Sequence, residues 1–411
     1  MVMMHYGLGR GCPNAKRRVD AGLPSAKYRT GGSGPRLYLA ALLSLVPAVV
    51  GCRVMPDKAL SYPADQVIYH GFSGPPRVRF GSYPSSNVGT FFKGQNLGTH
   101  GYCFRVSEKD GIAYTCRGGT VDVIHVRIAA DWTAYLAAGA YRRLMNHQSG
   151  FSCGLAVDRS RTYITFTYPE NWDSLPKIRQ MAIAKEVALA VGPYLTFTMT
   201  TWHEMLTWYG FKCMGPFPEF PSAFSWEDSY SNLLGTIIGV RALQDSEHNY
   251  NEAVKIALDQ EMQKLGILPA RAAKRATETV RGKWWTGSVI FMVDMKKRNF
   301  DIGLRDGYIT PTLIPEVSEC PDVEPMRYPV PKLDVLAKYG FSAKVEIEPH
   351  EWESDRILRV VYGDGPQKRV DPQEHFAAIM HDVHVQATAM YGPEYSPDDD
   401  MEKPRTVYTA R

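Results

Sequence analysis

The stretch that most constrains the fold is an apolar block from Pro176 to about Gly210, which carries few charges. A helix that is apolar around its whole circumference must be buried on nearly all sides, so this block predicts the centre of a helical core. Gly192 and Pro193 interrupt it. Because proline removes a helical hydrogen bond, they predict a kink or a split in the helix.

Elements on either side of this block are predicted from apolar periodicity and turn residues. Amphipathic helices are predicted over about 121–145, 225–244, 249–265, 270–281 and 372–390. Strands are predicted for TYITFTYP and, after Trp284, for SVIFMVDM, FDIGL, AKVEIEP and RILRVVY. We therefore expect an α+β protein, with an N-terminal hairpin, a mainly helical core over 97–283, a strand-rich C-terminal part over 284–391 and a disordered tail over 392–411.

The N-terminal segment has the layout of an export signal. Basic residues precede the apolar run of residues 37–51, which is shorter than the roughly 20 residues that a membrane-spanning helix needs. The run ends in Val-Val-Gly followed by Cys52, a pattern similar to a lipoprotein cleavage site. We expect residues 1–51 to be removed, Cys52 to be lipidated and residues 52–96 to form a tether and loops; the alternative is a buried helix ending in an ordinary cysteine.

The predicted anchor also indicates a location. Arg53, rather than an aspartate that would retain the protein at the inner membrane, favours the periplasmic face of the outer membrane. Residues 1–51 hold seven of the 47 basic residues and one of the 43 acidic residues, so the remainder has 40 basic and 42 acidic residues. This balance argues against a nucleic-acid partner.

Cysteines in an exported chain have access to an oxidising compartment. A hairpin with its loop at Glu108–Gly111 would place Cys103 opposite Cys116, which predicts a disulfide between them. Cys116 or Cys153 with His125 could instead form the nucleophile of a Cys-His hydrolase. A Cys116 held in a disulfide could not be that nucleophile.

The stretch WHEMLTW begins like the helix of a zinc protease, with His203 followed by Glu204. The second histidine of such a helix would stand at Thr207, so zinc would need other ligands. Candidates are His125, which lies three residues after Asp122 on a predicted helix, and Glu227 or Asp228 at the start of another. Two histidines and one carboxylate would leave one position for an activated water, with Glu204 as its general base.

The same residues have a purely structural interpretation. A His-Glu pair between tryptophans is often a hydrogen-bonded polar group of the core, and acids at a helix start are explained by capping and the helix dipole. Against this, placing His203 and Glu204 late in an apolar, buried segment costs free energy.

Three stretches carry a resemblance to a known family: YTCRGGTVDVIHVRIAADWT, WHEMLTWYG and SAFSWEDSYSNLLG. Over about residues 70–390 the chain resembles an uncharacterised family of bacterial lipoproteins, the domain-of-unknown-function family 4056. The resemblance implies a cell-envelope setting and no particular reaction.

The sequence thus predicts a lipid-anchored envelope protein with a zinc-dependent hydrolase site that acts on an envelope amide or ester. Its predicted residues are Glu204 as general base and His125, His203, Glu227 or Asp228 as ligands, with Asp122 close by. The competing hypothesis is a non-catalytic binding or scaffolding lipoprotein, in which these side chains form a buried hydrogen-bond network.

Overall fold

The computed structural model describes residues 72–392, apart from residues 73, 93–96, 104–106, 156, 213–218 and 289–292. These described residues belong to one compact unit of the chain. The predicted signal 1–51, the lipidation site Cys52, the tether up to residue 71 and the tail after residue 392 lie outside them. In the described part of the chain, no helix has both the length and the apolar character to cross a bilayer.

Within these residues the chain forms eight α-helices and several short antiparallel sheets, a mixed α+β fold as predicted. The helices are α1 (Val123–Met145), α2 (Lys177–Trp208), α3 (Asp228–Gln244), α4 (Tyr250–Lys264), α5 (Ala270–Thr279), α6 (Asp334–Lys338), α7 (Ser354–Tyr362) and α8 (Pro372–Tyr391). The strands are β1 (Ile112–Thr115), β2 (Gly119–Asp122), β3 (Gly150–Cys153), β4 (Arg161–Thr167), β5 (Trp285–Thr286), β6 (Asp294–Met295), β7 (Tyr308–Ile309), β8 (Tyr328–Pro329) and β9 (Ser342–Glu348).

Helices α1, α2 and α3 form the centre of the core, and α1 packs against both of the others. Glycines let the helices approach closely. A Cβ atom on Gly192 of α2 would lie 2.6 Å from the carbonyl oxygen of Thr133, and one on Gly235 of α3 would lie 2.4 Å from that of Val126. The alanines of α1 and these glycines therefore let the three helices pack closely. As a result, the N-terminal ends of α1 and α3 and the C-terminal half of α2, which carry polar residues, come together in one region.

Helix α2 is not split at Gly192 and Pro193, but runs without interruption from Lys177 to Trp208. Close packing of Gly192 on α1 accounts for this, because tertiary contacts outweigh the single hydrogen bond that proline removes. The half of α2 after Val191 is buried, with only Tyr194 and His203 half-buried, as its apolarity predicted. The first turns of the helix are exposed.

The C-terminal part contributes a strand to a sheet of the core. In the sheet of order β3-β4-β9, β9 pairs antiparallel with the whole of β4, from Arg161 opposite Glu348 to Thr167 opposite Ser342. The strands predicted for TYITFTYP and AKVEIEP are confirmed. The strand predicted for RILRVVY is wrong: these residues form helix α7, because their apolar residues at 357, 358, 360 and 361 follow a helical period. FDIGL forms no strand either.

The N-terminal hairpin differs from the predicted one. Strand β1 pairs with β2 across a turn that contains Cys116, so the predicted helix start at 121 is the end of a strand and α1 begins at Val123. The predicted disulfide between Cys103 and Cys116 is wrong, since Cys116 is bonded to Cys320. Glu108, expected in the hairpin loop, is buried in an ion network, and the hairpin turn lies between Thr115 and Gly119 instead.

Candidate functional site

The candidate site lies where the N-terminal ends of α1 and α3 meet the C-terminal half of α2. Strand β2 delivers Asp122 to the N-cap of α1, where its Oδ1 accepts a hydrogen bond from the backbone N–H of Ile124 at 2.8 Å. Its Oδ2 accepts from the backbone N–H of Ser82 at 2.7 Å, and its own N–H donates to Oγ of Ser231 in α3 at 3.0 Å. Asp122 is fully buried, and it ties three segments together.

His125 follows on the first turn of α1 and faces two carboxylates. Its Nδ1 lies 3.1 Å from Oδ1 of Asp228 and 3.5 Å from Oδ2 of Asp122, and forms ion pairs without the alignment of a hydrogen bond. Burial alone would lower the pKa of His125, but Asp122 and Asp228 together raise it to about 10. The side chain is therefore an imidazolium at neutral pH.

Glu204 is buried on α2, where its Oε2 accepts a hydrogen bond from the backbone N–H of Phe224 at 2.7 Å. Burial, and then the negative charge of Asp228, raise the pKa of this carboxyl to about 7. The charges of His203 and His125 and the N–H of Phe224 act in the opposite direction. Glu204 therefore changes protonation near neutral pH.

Glu227 and Asp228 stand at the start of α3 but are not explained by capping. Glu227 is the N-cap residue, yet its side chain makes no capping hydrogen bond and accepts instead from Oγ of Ser225 at 2.6 Å. Burial, and then the charge of Asp228, raise the pKa of Glu227 well above its ordinary value. Asp228 is directed to His125.

These side chains form what we call the acidic cluster: Asp122, His125, Glu204, Glu227 and Asp228. Its carboxylates are almost fully buried, whereas the side chain of His125 is 24% exposed. A Cβ atom on Gly81 would lie 2.8 Å from Nε2 of His125, so the backbone of this exposed glycine lies directly against the imidazole. His125 is thus the member of the cluster that is most exposed to solvent.

His203 pairs with an aspartate that is not part of the acidic cluster. Its Nδ1 contacts Oδ1 of Asp158 at 2.7 Å, on the segment that leads into β4. Burial would lower the pKa of His203, but Asp158 raises it to about 10. With Nδ1 paired to a carboxylate, a zinc ion would have to bind at Nε2, as in carboxylate–histidine–zinc arrangements. In the described part of the chain, no three His, Cys, Asp or Glu side chains are arranged as a metal site.

The sequence from residue 86 to 306 matches the family described as "Protein of unknown function (DUF4056)", a match over more than half of the chain. The chain belongs to the DUF4056 family. The match contains all five residues of the acidic cluster, and is shorter than the predicted resemblance over 70–390. The chain matches no curated protein and no solved structure.

A second buried polar group in this DUF4056 chain lies on the same helix α1. We call it the compensated network; it comprises Arg79, His100, Glu108, Arg127, Asp131 and Tyr250. Arg79 bridges Glu108 at 3.1 Å and Asp131 at 2.7 Å. Asp131 also contacts Nε2 of His100 at 2.8 Å and accepts from the hydroxyl of Tyr250 at 3.0 Å.

Protonation in the compensated network is set by its guanidinium groups. Nη1 of Arg127 lies 3.2 Å from Nδ1 of His100, and since a guanidinium can only donate, Nδ1 is the acceptor and Nε2 carries the proton. Burial, together with Arg79 and Arg127, lowers the pKa of His100 to about 4 against the opposite effect of Asp131. For Asp131, burial acts to raise the pKa, but His100 and Arg79 hold it well below its ordinary range.

Neither Cys116 nor Cys153, the two candidate nucleophiles, has the character of a reactive thiol. Cys116 is in the disulfide with Cys320. Cys153 is buried on β3, where its Sγ donates to the carbonyl oxygen of Thr162, and burial raises the pKa of the thiol to about 12. A thiol with so high a pKa is inert at neutral pH.

Sequence reasoning found four carboxylates and one histidine of this site but missed its backbone partners. These partners are the N–H groups of Ser82 and Phe224 and the backbone of Gly81. Backbone contacts do not depend on a particular side chain, so the sequence does not indicate them. Asp158, the partner of His203, lies 45 residues away along the chain. Such contacts depend on the tertiary structure.

Proposed function

We propose that the protein is a hydrolase of acyl bonds, in which the acidic cluster transfers protons and Glu204 is the general base. One observation carries this proposal: a buried carboxyl with a pKa of about 7 lies beside the His125–Asp228 ion pair, which reaches solvent. A general base is most effective when its pKa is near the working pH. In active sites, the acid and the base are often two groups whose surroundings shift their pKa values apart.

The geometry supplies a role for each group. Ionised Glu204 takes a proton from a water molecule while the water oxygen attacks the substrate carbonyl carbon. His125, oriented through Nδ1 by Asp122 and Asp228, donates from Nε2 to the carbonyl oxygen as negative charge develops there. Glu204 then gives its proton to the leaving amine or alcohol, so that it ends the cycle ionised.

The predicted substrate is an amide or ester of the cell envelope. Export and lipidation at Cys52, predicted from the sequence, support an envelope location at the periplasmic face of the outer membrane. The Cys116–Cys320 disulfide fits the same proposal, because disulfides persist in oxidising compartments. A near-zero net charge after residue 51 argues against a nucleic-acid substrate.

The test compares hydrolysis of peptidoglycan peptides and of acyl esters by the wild type, by Glu204→Gln and by a matched control, Glu351→Gln. Glu351 is also buried, but its carboxylate is satisfied by the N–H groups of Arg159 and Ser160 and the hydroxyl of Ser160. Loss of a general base should lower the rate at least ~100-fold. We expect that loss in Glu204→Gln only; full activity in that variant would end the proposal.

Metal content is measured on the same preparations, because the sequence predicted zinc. About one equivalent of zinc that is lost in His125→Ala would assign the acidic cluster to zinc-assisted hydrolysis, the same reaction class with a Lewis acid. Absence of hydrolysis in every preparation, with a loss of stability in Glu204→Gln, would favour the binding or scaffolding lipoprotein instead. His203→Ala tests the second predicted histidine ligand, and His147→Ala, which removes only an exposed pair with Asp173, is the control for metal loss.

A further inference from the structure

The segment before α3 contains a residue in a conformation that side chains rarely adopt. Phe224 has a φ of 51°, in the left-handed region that favours glycine. Such a conformation persists only where the surrounding structure fixes it, and it is frequent at functional sites. The backbone N–H of this same residue binds Glu204.

Three hydrogen bonds hold this turn from different sides. Besides the bond from the N–H of Phe224 to Glu204, the backbone N–H of Asn299 donates to the carbonyl oxygen of Phe224 at 2.9 Å. Nη1 of Arg298 donates to the carbonyl oxygen of Ala223 at 2.5 Å. Residues 298 and 299 therefore bind the carbonyl groups of the turn, while Glu204 binds one of its N–H groups.

Arg298 is a fully buried guanidinium that the proposed reaction does not use. It lies 5.7 to 5.8 Å from the ring centroids of Trp208, Phe220 and Tyr391, within the range of cation–π contacts. Its ion pair with Asp294 is long, at 3.8 Å, and ends on a side chain that is 43% exposed. A buried cation is costly, so a salt bridge of this kind does not explain its presence.

We infer that Arg298 is a positioning residue of the candidate site: it fixes the Ala223–Ser225 turn, so that the N–H of Phe224 stays directed at the Glu204 carboxylate. The planar guanidinium stacks on rings and donates along its edge at the same time, a combination that a lysine or an apolar side chain lacks. Because the turn leads directly to Glu227 and Asp228, its position affects the acids at the start of α3 as well. The inference deepens the proposed function and rests on it for the role of Glu204, while its geometry can be tested without a substrate.

The test reads the hydrogen bond of Phe224 directly. The dipeptide Ala-Phe occurs once in the chain, at 223–224, so protein with carbonyl-¹³C alanine and ¹⁵N phenylalanine gives a selected NMR signal for the amide of Phe224. In Arg298→Met we expect this amide to exchange with solvent at least ~tenfold faster and to lose the shift that the bond to Glu204 causes, because local opening sets the exchange rate. The other phenylalanine amides are the internal references.

A matched control exists in Arg356, which donates to the carbonyl oxygen of Tyr209 at 2.7 Å and lies 5.6 Å from the ring centroid of that residue. Arg356→Met should leave the Phe224 amide unchanged. If Arg298→Met does not fold, Arg298→Lys replaces it, and the same acceleration is expected because an ammonium group lacks the planar fork. An unchanged Phe224 amide in a folded Arg298 variant would overturn the inference, even if melting were lowered.

These outcomes are separable from those of the proposed function. Full hydrolytic activity in Glu204→Gln would end the hydrolase proposal and leave the NMR result untouched. Where hydrolysis is found, Arg298→Lys should also displace the pH–rate profile, since the N–H of Phe224 favours ionised Glu204. A variant with lower stability but an unchanged profile would show that Arg298 is structural only.

Discussion

Helix α1 supports two buried polar groups with opposite charge balance. In the compensated network, the guanidinium groups of Arg79 and Arg127, together with that of neighbouring Arg77, face the carboxylates of Glu108 and Asp131, and His100 is neutral. In the acidic cluster, Asp122 and Asp228 pair with the single imidazole of His125, and Glu204 and Glu227 lie close to Asp228. The same core thus contains one ion network in which opposite charges are paired and one group of acids in which burial raises the pKa values of Glu204 and Glu227. Buried charges without full compensation lower the stability of the fold. Such destabilising groups are typical of active sites rather than of scaffolds.

The largest expected effect is the loss of Asp131 from the compensated network. Asp131→Ala removes the partner of Arg79, His100 and Tyr250 and leaves a buried guanidinium with one fewer carboxylate. Breaking a buried ion pair in this way lowers the free energy of unfolding by about 3 to 5 kcal/mol. Urea unfolding at pH 7 measures it. Asp173→Ala, whose ion pair with His147 is exposed, should change it by less than about 1 kcal/mol.

A smaller effect is expected from His100 at acid pH. Its pKa is about 4 in the folded chain and 6.5 ordinarily, so between these values the unfolded chain binds a proton that the folded chain does not. The free energy of unfolding therefore falls as the pH falls, by about 2 to 3 kcal/mol between pH 6.5 and 4.5. Comparison with His100→Gln over this range isolates the contribution. An equal slope in the two proteins would mean that His100 is protonated in the network.

The acidic cluster should behave in the opposite way. Glu204 has a pKa of about 7 in the folded chain against 4.5 ordinarily, so the folded chain retains a proton as the pH rises through this window. Its contribution to the free energy of unfolding therefore falls with rising pH, and Glu204→Gln should be more stable than the wild type by about 2 kcal/mol at pH 8. The difference should vanish below pH 4.5. A glutamine can still accept from the N–H of Phe224, so a less stable variant at pH 8 would contradict the assignment.

How far the sequence predicts these two groups depends on how local their partners are. Helices α1 to α5 and α8 follow from apolar period and turn residues, and the long apolar block is indeed the buried helix α2. Glu204, His125 and Asp228 are recognisable because acids and histidines in apolar surroundings are costly. The compensated network is not recognisable, because Arg79 lies 29 residues from Glu108 and 52 from Asp131.

The contacts that the sequence did not predict have physical causes of the same kind. The pair of His203 with Asp158 joins α2 to a distant loop. Cys116 lies in a turn that faces Cys320, across a separation of 204 residues. In both cases a contact between distant segments decided the outcome, and a single sequence contains no signal for such contacts. RILRVVY is different: it is rich in β-branched residues, but its apolar residues already follow a helical period, and it forms helix α7.

The smallest expected effect compares one hydroxyl donor in each group. Tyr250 donates to Asp131, whose pKa lies well below its ordinary range, and Ser225 donates to Glu227, whose pKa lies well above it. A hydrogen bond to a charged group contributes about 1.5 to 3 kcal/mol, whereas one between neutral groups contributes about 0.5 to 1.5 kcal/mol. At pH 7, Tyr250→Phe should therefore lower the free energy of unfolding about twice as much as Ser225→Ala, since the contacts of Asp131 favour its ionised form, whereas burial and Asp228 favour the protonated form of Glu227. Equal losses in urea unfolding would contradict this difference in surroundings, and the contrast between the compensated network and the acidic cluster would no longer hold.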